Sequence, residues 1–146
     1  METSNGTHRL ALWVSACTFA WLAVYVPLET YLTWSIAGVR GFIHSSYILN
    51  VVGMSLMFWG AVWTRKRTPA GPALLAIGWS WTAATFWRAT SDRFWWVSLG
   101  HPLYAGPIEL WLAPALTALA VGGLVASMVL VFRQERSGGP RGEPAG

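Results

Sequence analysis

Four long apolar segments, separated by short polar stretches, leave this chain few ways to fold. They are residues 10–28 (LALWVSACTFAWLAVYVPL), 42–63 (FIHSSYILNVVGMSLMFWGAVW), 72–90 (opening PALLAIGWSWTAATFW) and 107–132 (PIELWLAPALTALAVGGLVASMVLVF). A helix needs about 20 residues to cross a hydrocarbon core of ~30 Å. The second and fourth segments exceed that, the first just reaches it, and the third is shorter and carries small polar residues. In lipid an open strand would leave backbone groups unsatisfied, so each segment is expected to be a helix. The fold class that follows is an all-α four-helix transmembrane bundle. Residues 10–132 form its single domain, between a cytoplasmic N-terminal stretch 1–9 and a tail 133–146.

Composition supports lipid as the solvent. Of the 146 residues 54% are apolar and 11% charged, against about 25% charged in a soluble domain. The net charge of +4 does not point to nucleic acid, because the basic residues are scattered between apolar runs and make no stripe. Cys17 is the one cysteine, so neither an internal disulfide nor a thiolate metal site is expected. The first segment follows Arg9 as a signal peptide would. Its apolar run is long and VYVPLETY offers no small-residue cleavage site, so it is expected to remain as a helix.

Basic residues set the orientation. Four spans put residues 1–9, the second connection and the tail on one side, with Arg9, Arg65, Lys66, Arg67, Arg133, Arg136 and Arg141. The other side holds Arg40, Arg88 and Arg93. The more basic side is normally cytoplasmic, so both termini are expected inside. The localisation expected is a bacterial inner (plasma) membrane. The tail RSGGPRGEPAG is rich in Gly and Pro and is expected to be disordered.

Two helical faces are lined by small residues. One is Ala115, Ala118, Gly122 and Ala126; the other is Ser46, Asn50, Gly53, Met57 and Gly60. Small residues let helices approach closely in lipid, so both faces are expected to pack the bundle. The alternative is that one docks a membrane protein partner or a second copy. Asn50 needs a hydrogen-bond partner at mid-membrane, and Ser80, Thr82 or Thr85 are the expected ones. Pro114 should kink the fourth helix near Glu109.

The segment FWRATSDRFWWVSLGHPLYAGPIELW, residues 86–111, gathers charges among aromatic rings. By depth, Glu29, Arg40, His44, Arg88, Asp92, Arg93, His101 and Glu109 converge on the outer rim. There tryptophans belong to the interfacial belt and Asp92 and Arg93 lie in a loop. Charged residues at an interface need no function beyond meeting water. Glu109 lies inside an apolar segment, so its carboxyl must pair with Arg88 or Arg40, or hold a proton. The candidate binding residues are Glu29, His44, Asn50, Arg88, Asp92, His101 and Glu109. No cofactor is evident; a haem or chlorophyll-type pigment held by His44 or His101 is the option histidine chemistry leaves open. CxxCH, HExxH, GxSxG and a glycine-rich phosphate loop are all missing from the sequence, which gives no support to nucleotide-driven or zinc-dependent chemistry.

WRATSDRFWW with the later Glu109, and GFIH at Gly41–His44, resembles the aspartate–arginine–aromatic segment and following glutamate of emopamil-binding-type sterol isomerases. The match covers a minor part of the chain, and an extra span separates its parts. It implies a lipophilic substrate and no more.

The expected function is a non-catalytic accessory or partner-binding subunit of a membrane complex. The alternative is an enzyme or binder for a lipid, isoprenoid or sterol-like molecule at the outer rim. Glu109 would then serve as general acid/base, with Asp92, His44 and Glu29 assisting.

Overall fold

The computed structural model describes residues 2–37, 45–100 and 107–137, all but short connections of which are helical. The helices are α1 (Glu2–Ala37), α2 (Ser45–Arg65), α3 (Ala70–Ser98) and α4 (Pro107–Ser137). Among the described residues there is no strand. Among the described residues, two stretches are long and apolar enough to cross a membrane, Asn5–Tyr31 of α1 and Pro114–Arg136 of α4.

All four helices run past their expected ends, α2 by two residues to Arg65. The first apolar run ends at Leu28, yet α1 continues through Pro27 to Ala37. The fourth continues beyond Phe132 to Ser137, so residues 133–137 are helical; the rest of the tail lies outside the described residues. The third does not stop at residue 90. Asp92 and Arg93, expected in a loop, lie on α3, which reaches Ser98. No Gly or Pro interrupts the chain between Arg88 and Ser98, so hydrogen bonding propagates. It ends at Gly100, whose φ of 72° takes the chain out of the helix.

Each helix packs on the next, and α1 also meets α4. Sequence neighbours are antiparallel: Gly53 faces Trp81, Met57 faces Gly78 and Gly60 faces Leu75, one numbering falling as the other rises. α1 and α3 lie diagonally and parallel, bridged by large rings. Trp21 meets Trp79 and Phe86 with centroids 5.8 and 5.7 Å apart, and Tyr25 meets Phe86 at 5.5 Å. Trp79 is only 2% exposed, and its indole N–H donates to Thr18 at 3.2 Å. This aromatic column fills the bundle's centre; the Trp79 indole N–H is bonded, while that of Trp21 is buried without a partner.

α2 and α3 approach closely because glycine permits it. A Cβ at Gly60 would lie 2.6 Å from the Leu75 nitrogen. The expected face of α2 is therefore the packing face, with Gly53, Met57 and Gly60 buried. The turn that follows uses Arg67 at φ 59°. Thr68 N–H bonds the Trp63 carbonyl at 2.9 Å and Arg67 N–H bonds the Thr64 carbonyl at 3.1 Å. This is a Schellman termination with an arginine where glycine is usual.

The expected face of α4 is a correction. Ala115, Ala118 and Gly122 are exposed, and a Cβ at Gly122 would meet nothing within 4 Å. α4 instead buries Thr117, Ala120, Ser127 and Leu130. The reason is local. Gly123 seats the Trp79 indole, and Thr117 shares a 3.0 Å hydrogen bond with Thr90 of α3. A large ring and a polar pair fix the helix rotation, which sequence spacing among small residues does not reveal.

The outer surface is apolar. Trp111 is 77% and Trp13 71% exposed, and Val24, Trp87 and Trp95 stand out similarly.

Candidate functional site: a lateral groove along α3

The residues of α3 between its contacts with α2 and with α4 form an open face. Along it runs a groove of about 850 Å³. Its floor is small, made by Ala76, Ser80 and Ala84 one turn apart. Ile77 and Trp81 rise beside it, α4 adds Leu124 and Met128 toward the N-terminal end of α3, and α2 adds Leu49 and Asn50 toward its C-terminal end. The Trp81 indole packs closely on α2 because Gly53 has no side chain: a Cβ there would come within 2.7 Å of the ring.

The polar lining gathers at one end. Asn50, Thr85, Arg88 and Asp92 line the groove toward the C-terminus of α3, while below them Ser80 is the one polar lining residue. Thr85 bonds its own helix, its hydroxyl donating to the Trp81 carbonyl at 3.0 Å. Arg88 and Asp92 face each other one turn apart, Nε to Oδ2 3.8 Å, with side chains 82% and 62% exposed. At that separation and exposure the pair is weak. Both groups keep most of their bonding capacity for something else.

Asn50 ties this end of the groove to α1. Its amide donates to the Glu29 carboxyl at 2.9 Å. The partners expected on α3 are not used. Thr82 bonds the Gly78 carbonyl and the Met57 sulfur, and Thr85 bonds within α3. Threonines that satisfy themselves on their own helix leave the amide to find a carboxyl on another.

Of the expected site residues, the structure brings Asn50, Arg88 and Asp92 to the groove and attaches Glu29 through Asn50. His44, His101 and the Glu109 side chain lie outside the described residues. The pairing of Glu109 with Arg88 or Arg40, and ligation of a haem or pigment, fall there too. Among the described residues no group of three His, Cys, Asp or Glu is placed to share a metal ion.

Sequence reasoning missed the apolar part of the site. Its signal was present: Ala76, Ser80, Ala84 and Arg88 recur every fourth residue, a strip of small side chains ending in a cation. Compared with known proteins, the chain matches no family model, no curated protein and no solved structure.

Proposed function

We propose that the chain is an integral membrane protein whose four helices all span, with both termini cytoplasmic, in a membrane such as the bacterial inner membrane. We further propose that it binds, without transforming it, a lipophilic molecule with a polar end, lying in the groove along α3. The observation that carries this is the groove's polarity: small and apolar along its length, with Asn50, Arg88 and Asp92 at one end.

The spanning arrangement is supported by the apolar outer surface and by the end at which the cations collect. Arg67 lies 3.3 Å from His8, and Arg65 stands over the Phe19 ring at 5.9 Å. Arg9, Arg65, Lys66 and Arg67 therefore share one end of the bundle, and Arg88 lies toward the other. A soluble protein rarely exposes so much contiguous apolar surface. Two of the polar groups of α3 turn inward, Thr82 and Thr90 being buried and bonded.

The experiment is gentle purification followed by native mass spectrometry of the wild type and of Ala84→Trp, which fills the groove from its floor. Retention of a lipophilic molecule by the wild type and its loss from Ala84→Trp are expected. A wild-type protein that retains nothing would sink the reading.

A second reading, an accessory subunit that docks a membrane partner, is favoured by one observation. Ala115, Ala118 and Gly122 of α4 face outward, and small residues are what helices use to meet in lipid.

A further inference from the structure

We propose that the groove's occupant is a zwitterionic phospholipid of the outer leaflet, its phosphate on Arg88 and its ammonium on Asp92. This rests on the groove being a lipophile site and adds the class of the head, its direction and the length of the tail.

The length comes from α3. Arg88 lies 18 residues beyond Ala70, which is ~27 Å along the axis. With Ala70 at the inner boundary, Arg88 stands near the outer boundary of a ~30 Å core. From Arg88 the groove descends to Ala76, 12 residues or ~18 Å. That is close to the depth of one leaflet, ~15 Å. A partner helix would need a seat across the whole core, whereas one layer's lipid tails need this depth.

The head comes from charge. Among the described residues, Arg88 and Asp92 are the ionisable side chains lining the groove. They are of opposite sign, so together they form a dipolar pair at the groove's end. A net anionic head would gain Arg88 and be repelled by Asp92, while a zwitterion satisfies both. Their order matters as well. Asp92 lies one turn farther out than Arg88, since α3 runs outward. In a phosphate–ammonium head the phosphate is nearer the chains and the ammonium beyond it, the same order. Guanidinium suits phosphate by its paired donors. The loose 3.8 Å contact leaves both side chains free to engage.

The test uses full-length protein exchanged into mixed micelles holding equal amounts of phosphatidylethanolamine and phosphatidylglycerol with the same acyl chains. Bound lipid is counted by native mass spectrometry. The wild type is expected to retain phosphatidylethanolamine over phosphatidylglycerol by about tenfold, the scale of one charge-assisted contact. Asp92→Asn, which leaves a net cation, should move the preference to phosphatidylglycerol. Arg88→Gln should abolish the selectivity and keep some tail binding. Both positions are exposed, so these variants should melt like the wild type. Lipid retained without head preference, or a preference unmoved by Asp92→Asn, overturns the head assignment and leaves the lipophile site standing. No lipid retained by any form overturns both. A polypeptide or second copy released by Ala84→Trp, with no lipid bound, assigns the groove to a protein and overturns the proposal.

Discussion

Asn50 of α2 and Glu29 of α1 are joined side chain to side chain at 2.9 Å, the amide donating to the carboxyl. Two polar groups that would each be costly alone in an apolar bundle thereby satisfy one another. Asn50→Leu keeps much of the volume and removes the donor. It is expected to lower stability by about 0.5–2 kcal/mol, since hydrogen bonds between membrane helices are modest but an orphaned partner adds cost. Glu29→Gln keeps a carbonyl acceptor at the same place and should cost less. Thermal unfolding in mild detergent measures both, and an Asn50→Leu protein as stable as the wild type would show that this bond does not hold α1 to α2.

Gly122 and Gly123 are neighbours with opposite surroundings. A Cβ at Gly123 would fall 2.5 Å from the Trp79 indole, while one at Gly122 meets nothing within 4 Å. Gly123→Leu should therefore destabilise the bundle by about 1–3 kcal/mol or more through overpacking. Gly122→Leu should leave the isolated protein's melting within about 0.5 kcal/mol of wild type. If α4 docks a partner by its small face, Gly122→Leu should still release that partner on purification. Equal melting of the two variants would contradict the rotation of α4.

Helix number and approximate position were legible in the sequence because apolar length is a strong signal. The face of α2 was legible too, since Gly53, Met57 and Gly60 share a stripe that α3 buries. The face of α4 was not. Small residues permit close approach but do not demand it, and the Trp79 ring chose Gly123. Helix ends were hidden wherever a polar stretch such as RATSD continued a helix without Gly or Pro. At the site, the charged end of the groove was readable from Arg88 and Asp92. Its apolar body was not, because a groove is made by three helices and no one of them encodes it.

Arg67 holds a left-handed conformation, φ 59°, at the end of α2. A side chain there costs roughly 1 kcal/mol relative to glycine. The Arg67 contact with His8 is exposed and offsets little. Arg67→Gly is thus expected to raise stability by up to ~1 kcal/mol, read as a higher melting temperature in detergent. A fall would mean that the His8 contact outweighs the backbone strain. The position makes sense if a cation at this turn serves orientation in the membrane more than stability.

Orientation is where the depth argument stands or falls. Arg9, Arg65, Lys66, Arg67, Arg133 and Arg136 lie toward one end of the antiparallel helices, and Arg88 and Arg93 toward the other. Basic residues flanking spans are retained in the cytoplasm, so a reporter fused after Arg136 should be active there. One inserted at Gly100, beyond the end of α3, should be accessible from outside. Replacing Arg65, Lys66 and Arg67 together by glutamine removes three of the retained cations and should produce a mixed population, while a single replacement should not. The reverse pattern in the wild type would turn Arg88 and Asp92 toward the cytoplasm. The groove would then open on the inner leaflet, and its lipid would be drawn from that layer. A reporter at Gly100 found on the same side as one at Arg136 would mean that α4 does not cross, and the four-span arrangement would have to be abandoned.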